Sequence, residues 1–461
     1  MRKKLLTTGL ALVSFLSMYA GGLLTNTNQN VAFLRNLARE ASIEIDAAYT
    51  NPAGLAFLKK DGFYLSFNNQ SAFQTRTITA NFAPFAGFGG KAVKEFEGKA
   101  EALVIPNLQA AYKKGDWVIS ANIGVVGGGG TLDFSKGLPS FESTVAIAPL
   151  LLNAVTQSTN FGGYSLESQL KGSSIIYGGQ LGASYKISDN FSAYAGARFS
   201  YVDNSYDGYL KNIQIGMGGT LVPASTLLAN PALAPLAPLL SEKQLDCKQS
   251  GSGIAPIIGL DYNWNGLNIG VKYEFKTGLE LKNETAANTT GVADYDNEAI
   301  TPYDIPALLT AGIQYEIVPD ATISVGYHHF FDSDAKMAND KQKYINGGVN
   351  EYLAGIEYRI NDLFLISYGM QLTRQGVTDD YQTDMSFSIN SYSFGLGGAI
   401  NLTKNLRVNL AYFFTNYNDW TKKSSDYGNL NRLVSSFPAT AGTDVFGRTN
   451  KTFGIGLDFR F

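Results

Sequence analysis

The chain has 461 residues, with 36 Lys and Arg against 39 Asp and Glu, which gives a formal net charge of −3. Charged residues make up 16% of the chain and aromatic residues 12%, and 49 residues are Gly. This balance excludes a disordered chain, which would be rich in charge and poor in aromatics, and a basic nucleic-acid binder. The single Cys excludes a disulfide framework and a Cys-based metal site. A large all-β protein, soluble or membrane-spanning, remains.

The N-terminus has the layout of a secretory signal peptide. Three residues at 2–4 are positively charged, the stretch 5–19 is mostly apolar, and small residues follow. We predict that residues 1–20 are a signal peptide, with cleavage after Ala20 or Gly22. Beyond this region no apolar run reaches the roughly 18 residues that a transmembrane helix needs.

The segment 21–60 lacks the pattern of a strand. Apolar residues recur at helical spacing within 30–46, and the motif Asn51-Pro52-Ala53 follows. Asn51 is suited to cap a short helix that begins at Pro52. We expect a compact, partly apolar segment, placed either on the periplasmic side or inside a barrel.

From residue 61 to residue 461 the chain reads as β-strands with period-two alternation. The last strand is the clearest, with apolar residues at Phe453, Ile455, Leu457, Phe459 and Phe461. Six tight turns rich in Asn, Asp, Gly and Lys alternate with seven long loops, near 83–99, 130–163, 214–250, 284–298, 335–344, 376–383 and 419–447. This alternation predicts a fourteen-stranded antiparallel barrel with short turns at one rim and long loops at the other, which is typical of the bacterial outer membrane. Closure would leave no edge strand and would satisfy the backbone in lipid.

The chain ends on an aromatic residue, Phe461. Outer-membrane barrels commonly end in this way, and their assembly machinery reads the last strand. We therefore expect that machinery as a partner during insertion, and outer-membrane lipid and lipopolysaccharide as surroundings. Fourteen strands also enclose more space than side chains fill, since about eight strands is the number at which side chains fill a barrel. The segment 21–60 would then act as a plug, or hatch, inside the lumen.

Two of the long loops, those near 130–163 and 214–250, are unusually apolar. No charged residue occurs between Gly219 and Leu240. Exposed apolar patches are rare without a function, so we predict that these loops form a ligand-binding groove, with packing of the loops on each other as the alternative. The groove candidates are Leu221, Val222, Leu227, Leu228, Leu233, Leu236, Leu239, Leu240, Leu150 and Leu151.

Four consecutive glycines, Gly127, Gly128, Gly129 and Gly130, fall on the third predicted strand. Glycines weaken a strand and favour a bulge or bend, so we predict a kink there. The alternative is a flexible strand end that enters a loop.

No pattern of catalytic chemistry was found. His328 and His329, the two histidines of the chain, are adjacent on one predicted strand, so their side chains point to opposite faces and cannot chelate one metal. We predict no catalytic residue, no metal site and no cofactor, and hence no enzyme.

Three short motifs, in this order, carry a resemblance to a known family. They are Asn51-Pro52-Ala53, Ile105-Pro106-Asn107-Leu108 at the second strand and Ile305-Pro306-Ala307 at the eighth. Together with the strand count and the terminal Phe, they resemble the long-chain fatty acid transporter family of Gram-negative outer membranes, the FadL/TodX family. The resemblance covers the whole mature chain.

This resemblance implies a monomeric fourteen-stranded barrel with an N-terminal hatch. A hydrophobic molecule would be captured in the loop groove and passed to a lumen pocket. A shift of the hatch would release it through a lateral exit at the kinked third strand, here Gly127–Gly130. Long-chain fatty acids are the expected substrate, with aromatic hydrocarbons as a variant of the family.

A fatty-acid carboxylate would call for a basic group in an otherwise apolar pocket. By strand alternation, Arg198, Lys272 and Lys276 face the lumen, where inward salt bridges are the alternative role. In the hatch, Val31, Phe33 and Leu34 are candidates to contact the ligand tail, with packing of the plug core as the alternative.

Two other functions remain open from the sequence. Some barrels that resemble this family serve as accessory or shuttle components of a protein secretion system. A general diffusion porin is a third possibility, and it would need an open lumen.

Overall fold

The computed structural model describes residues 23–427 and 440–461. The predicted signal peptide, its two cleavage positions and part of the loop 419–447 lie outside these residues. Within them, eighteen strand segments form one hydrogen-bonded antiparallel sheet. Fourteen of these segments go round the barrel, which confirms the predicted fold. We number them β1 to β14: Gly62–Phe82, Val93–Lys114, Trp117–Phe134, Phe161–Lys186, Phe191–Met217, Lys243–Trp264, Leu267–Glu274, Leu308–Val318, Ala321–Phe330, Asn350–Arg359, Phe364–Arg374, Ser391–Thr403, Leu406–Tyr417 and Gly442–Arg460.

The sheet closes on itself through its first and last strands. β1 pairs with β14 over nineteen residues, from Tyr64 opposite Arg460 to Phe82 opposite Gly442. The other four strand segments flank the long-loop ends of barrel strands, at Thr220–Pro223, Glu280–Asn288, Ile300–Pro302 and Trp420–Ser424.

The outer face of the barrel is apolar and is bordered by aromatic side chains. Exposed residues such as Ile123 and Ile455 form its middle. Aromatic pairs lie near the short turns, at Phe63–Tyr112 and Trp117–Tyr185, and again nearer the long loops, at Tyr177–Tyr201, Tyr327–Tyr352 and Tyr368–Phe394. An apolar band between two aromatic girdles is the surface of an outer-membrane barrel. The chain is therefore a protein of the bacterial outer membrane.

Some strands continue far beyond the membrane. β4 has 26 residues and β5 has 27, whereas about 9–11 residues cross a bilayer. Because the strand pattern continues, the two apolar loops are shorter than predicted, at 135–160 and 218–242. We call these two loops together the cap. They contain helices at Pro139–Ala146, Ala148–Thr156, Ala224–Leu228 and Ala237–Leu240, and a 3-10 helix at Pro231–Leu236.

Residues 23–60, the hatch, precede β1 and lie inside the barrel. Almost every residue from 23 to 56 is buried, and the contacts are with lumen-facing side chains of the strands. The helical spacing over 30–46 gives only one short helix, Val31–Arg35, because contacts with the wall rather than helical hydrogen bonds fix the rest of this stretch. A second helix, Ala47–Thr50, and a 3-10 helix, Pro52–Phe57, complete the hatch.

The remaining 3-10 helices lie between strands, at Ala83–Gly87, Ala293–Tyr295, Asp332–Asp334 and Ala338–Tyr344. Among the described residues, no helix is both long enough and apolar enough to cross a membrane.

Candidate functional site

The Asn51-Pro52-Ala53 motif fastens the end of the hatch to the wall. Asn51 is the N-cap of the 3-10 helix, and its Nδ2 donates to the backbone oxygen of Leu260 at 3.0 Å. The hydroxyl of Ser184 donates to the backbone oxygen of Pro52 at 2.6 Å, and that of Ser192 to the backbone oxygen of Ala53 at 2.8 Å. The motif thus binds β4, β5 and β6 from the inside.

Two rows of glycines give the hatch room against the wall. In the first row, Gly270, Gly312 and Gly326 are in register on β7, β8 and β9, and Glu40 of the hatch lies against all three. In the second row, Gly355, Gly369 and Gly395 are in register on β10, β11 and β12. Here the hatch approaches so closely that a Cβ would overlap it: Asn36 at Gly355, Leu37 at Gly369 and Leu34 at Gly395. We call these six residues the glycine rows.

Buried ion pairs lock the hatch to the same side of the barrel. Arg35 of the hatch is fully buried and pairs with Glu357 of β10. His328 of β9 lies between two carboxylates, 2.7 Å from Glu40 of the hatch and 2.8 Å from Glu351 of β10. Removing one partner of such a buried group leaves an uncompensated charge, so these contacts fix the position of the hatch.

The two adjacent histidines have different surroundings. His328 is 2% exposed and faces the hatch. His329 contacts Asn350 at 2.9 Å through Nδ1 and packs against the ring of Phe331. The two side chains lie on opposite faces of β9.

The three predicted basic lumen residues all form ion pairs. Arg198 and Lys272 both contact Glu274, each at 2.5 Å. Lys272 also donates to the backbone oxygen of Tyr49 at 2.9 Å, and the guanidinium of Arg198 lies 4.6 Å from the centre of the Tyr49 ring. Lys276 pairs with Asp304 at 3.0 Å near the long-loop rim and is 40% exposed. These placements match the salt-bridge role that the sequence left open.

Val31, Phe33 and Leu34 of the hatch are 2% exposed or less. They pack with Leu37 and Ala38 of the hatch and with wall residues of β10 and β13. The structure therefore places them in the core between the hatch and the wall.

A polar patch lies on the wall above the first hatch helix. Its side chains come from the last three strands and from β1. Arg76 and Arg448 occupy directly opposed positions of β1 and β14. Arg76 bonds Gln74 at 3.1 Å and lies 5.3 Å from the centre of the Phe387 ring, while Arg448 lies 5.0 Å from the centre of the Tyr417 ring.

Neutral groups of the same patch are buried without a hydrogen-bond partner in the described part of the chain. They are the hydroxyls of Ser391, Tyr417 and Thr452 and the side-chain amide of Asn450. Buried polar groups normally have partners, so these groups are available to a guest or to water. This patch was not among the predicted site residues. Extending the alternation of the last strand upstream would have placed Arg448 on the lumen face, together with Gly454 and Gly456.

The barrel wall is interrupted between β2 and β3. Pairing of these strands stops after Ala100–Leu132 and resumes at Asn107–Gly124, so residues 101–106 and 125–131 do not pair with each other. We call this interruption the side opening. On the other side of β3, its pairing with β4 contains two bulges, and these lie where the kink was predicted. Gly129 lies within the second bulge. Gly128 and Gly130 have φ of +68° and +103°, which only glycine adopts without strain.

Hatch residues form hydrogen bonds with backbone groups of β3 at the side opening. The backbone nitrogen of Asn26 donates to the oxygen of Val126 at 2.8 Å, and its Nδ2 donates to the oxygen of Gly128 at 3.0 Å. Gln29 donates through Nε2 to the oxygen of Val125 at 2.9 Å. The first described residues of the hatch therefore act as a partial strand beside β3.

The predicted groove residues mostly form the core of the cap. Six of the ten are buried: Leu227, Leu233, Leu236, Leu239, Leu240 and Leu151. Val222 and Leu228 pack against this core, while Leu150 and Leu221 are exposed. The two loops thus pack on each other and on the long-loop ends of the strands.

A small cleft opens beside the cap, and its lining residues lie outside the predicted groove set. Phe141, Leu170, Leu210 and Leu245 supply apolar lining, and Lys243 supplies a charge. They were not predictable as a group, because they lie on separate strands and on a helix that only the folded loops bring together.

The fold of this barrel is similar to that of solved structures of a FadL homologue and of toluene transporters. A crystal structure of a Pseudomonas aeruginosa FadL homologue covers 96% of this chain and 100% of its own, with a TM-score of 0.66 at 13% identity. The Ralstonia pickettii toluene transporter TbuX covers 98% of each chain, with a TM-score of 0.55 at 14% identity. The chain has the FadL-type fold.

The Pseudomonas putida toluene transporter TodX shares this FadL-type fold as well. It covers 90% of this chain and 94% of its own, with a TM-score of 0.52 at 15% identity. No protein-family model and no curated protein matches the sequence. The likeness is therefore one of fold, carried by structure rather than by sequence.

Proposed function

We propose that this protein is an outer-membrane channel for passive uptake of hydrophobic molecules, most of all long-chain fatty acids. The substrate would enter at the apolar cap and its cleft, pass to the polar patch above the hatch, and leave through the side opening into the membrane. The shared fold of the FadL homologue and the toluene transporters supports this function.

The observation that carries the proposal is the side opening in a barrel whose lumen is plugged. The hatch fills the axial route with buried groups, whereas the wall between β2 and β3 lacks a ladder at the height of lipid-facing residues. A water-soluble solute needs an open axial lumen. A hydrophobic solute can leave sideways, because lipid is its favoured surrounding.

The polar patch favours an anionic head group over a purely apolar guest. Arg76 and Arg448 are directly opposed like charges, which repel each other. A carboxylate beside them would accept hydrogen bonds from the guanidinium groups and from the neutral groups of the patch. Leu151 of the cap and Phe387, which lies between β11 and β12, belong to the same large apolar cluster on the long-loop side, and this cluster suits the acyl chain.

The test is ligand binding to the purified protein in detergent-free nanodiscs. We expect oleate to bind the parent protein and Arg76→Gln/Arg448→Gln to weaken that binding by about tenfold or more, since a charge-assisted hydrogen bond contributes about 1.5–3 kcal/mol. Toluene binding should change little in the same variant, because toluene has no charge.

Two results would count against the proposal. Binding of neither oleate nor toluene by the parent protein would remove hydrophobic uptake as its function. Equal loss of both ligands in the variant would mean that the arginines support the lumen rather than recognise a carboxylate. Growth on oleate as the carbon source, with and without the gene, extends the test to cells.

A further inference from the structure

Two polar side chains of β1 face the lipid beside the side opening. Asn69 and Ser71 are partly exposed on the outer face, in register with Ile455 and Phe453 of β14, which are exposed to lipid. Polar groups at such depth are costly unless they are hydrogen-bonded. Their presence on this face therefore requires an explanation from their contacts.

Both side chains bind the backbone of β2 where that strand leaves β3. The hydroxyl of Ser71 donates to the backbone oxygen of Leu103 at 2.7 Å. The Asn69 side chain accepts from the backbone nitrogen of Ile105 through Oδ1 at 3.1 Å. Its Nδ2 donates to the oxygen of Leu103 at 3.5 Å. Side chains thus replace ladder bonds at this point.

The contacts hold a bulge in β2. Two residues of β2, Leu103 and Val104, lie opposite the single residue Ser71. The bulge breaks the alternation, because Leu103 and Val104 are both exposed, at 61% and 72%. A bulge bends its strand and ends regular pairing. This bend lies within the six residues of β2 that do not pair with β3.

The geometry points to Asn69 and Ser71 as positioning residues of the side opening. They fasten the bulged part of β2 to β1, so that residues 101–106 stay away from residues 125–131 of β3. The hatch bonds the β3 edge from the inside, whereas these two side chains bond the bulged part of β2 to β1. Their importance for substrate exit rests on the proposed function, whereas their effect on the wall does not.

The first experiment measures the wall directly. Spin labels at Val104→Cys and Thr131→Cys report the width of the side opening, in a Cys247→Ser background that removes the native thiol. We compare the parent with Asn69→Val/Ser71→Ala by pulsed electron spin resonance in nanodiscs. Loss of the side-chain bonds should shift the distance distribution to shorter values and favour paired strands by about tenfold, since each such bond contributes about 0.5–1.5 kcal/mol.

Thr75→Val is the matched control. Thr75 lies on the same strand and the same face, but it is paired regularly opposite Lys99. Its distance distribution should equal that of the parent. Folding of all variants is checked by heat-modifiable gel mobility. Ser71→Ala alone, which removes only one contact, should give an intermediate shift.

The second experiment measures uptake of radiolabelled oleate by cells that lack their own fatty-acid channel. We expect uptake in the double variant to fall by about tenfold, in proportion to the loss of open wall. An unchanged distance distribution would overturn the inference. A shorter distance with unchanged uptake would support the inference and contradict the proposed route of exit.

Discussion

The hatch meets the barrel wall in two different ways. On the side of β7 to β12, it is pressed against the glycine rows and joined by buried ion pairs, such as Arg35–Glu357. On the side of β3, it is joined by backbone hydrogen bonds to a strand edge that lacks its usual neighbour. In the first contact, the hatch packs against a wall whose strands are fully paired. In the second, hatch residues replace part of the strand pairing that is missing between β2 and β3.

Under the proposed function, this difference would allow one plug both to close the pore and to leave a way out. Shape complementarity over the glycine rows resists motion, because any shift creates overlap or a cavity. A few backbone hydrogen bonds are easier to exchange, since each contributes only about 1 kcal/mol net. Passage through this barrel is therefore expected at the β3 side, with the rest of the hatch in place.

The largest effect is expected from filling a glycine row. Gly395→Val places a side chain against the backbone oxygen of Leu34, which is part of the hatch helix and has little room to move. We expect a loss of about 2–3 kcal/mol in the free energy of unfolding and release of the hatch from its seat. Urea unfolding and single-channel conductance in planar bilayers measure the two effects.

The control for this variant is Gly179→Val, because a Cβ at Gly179 of β4 meets nothing within 4 Å. It should keep the stability and the low conductance of the parent. Equal conductance in both variants would show that the tight fit at the glycine rows is not what seals the lumen.

A smaller effect is expected at the β3 contact. Asn26→Ala removes the side-chain bond to Gly128 and keeps the backbone bond to Val126. We expect about 1–2 kcal/mol less protection against hydrogen exchange in residues 24–29 and 125–128, with the glycine rows unaffected. Mass-spectrometric hydrogen exchange measures both regions in one experiment.

Thr27→Val provides the comparison for Asn26→Ala. The Thr27 hydroxyl is buried and has no hydrogen-bond partner among the described residues. Its loss should leave exchange unchanged or slow it slightly. Faster exchange in both variants would indicate that packing, rather than the Asn26 bond, holds this segment.

The most local effect is expected in an external loop. Lys341 lies between β9 and β10 and is 8% exposed, with its Nζ 3.3 Å from the backbone oxygen of Ser386 and 4.1 Å from the centre of the Tyr381 ring. Burial lowers the pKa of Lys341 to about 7, and the charge of Lys422 adds to this effect.

Because the folded loop disfavours the proton, its packing should weaken as the pH falls from about 10.4, the pKa in an unfolded chain, toward about 7. Below that value the dependence should end. The slope can reach at most about tenfold per pH unit, since one proton is involved. Hydrogen exchange of the loop, corrected for intrinsic rates, measures it. In Lys341→Met, the corrected exchange rate of the loop should not change with pH over the same range. A pH dependence that persists in this variant would assign the effect to another group.

The fold was predictable because its signals are local. Alternation of apolar residues and the spacing of turns and loops each depend on neighbours in the chain, and together they gave the strand count. The glycine rows were not predictable in this way, because Gly355, Gly369 and Gly395 come together only through the register of three strands. A composition rich in Gly did not indicate which glycines face the hatch.

The site was only partly predictable. Four glycines in sequence predicted the irregularity in β3, and the bulges lie there. The apolar loops were correctly seen as unusual, but apolarity alone does not separate a binding surface from a packed core, and Leu233 and Leu239 are buried. The basic candidates failed to include Arg76 and Arg448 because alternation was followed on other strands. The ion-pair partner of a lumen-facing cation, such as Glu274 for Arg198, depends on which strands the folded barrel brings together.

The glycine rows also set an unequal tolerance to change. At Gly270, Gly369 and Gly395, the wall meets backbone atoms of the hatch, which every amino-acid sequence possesses. At Gly355 and Gly326 the nearest hatch atoms belong to side chains, so a shorter hatch residue can make room for a Cβ, but no substitution in the hatch can do so against backbone atoms. In a deep mutational scan, Gly270, Gly369 and Gly395 should therefore accept the fewest substitutions of the glycine rows.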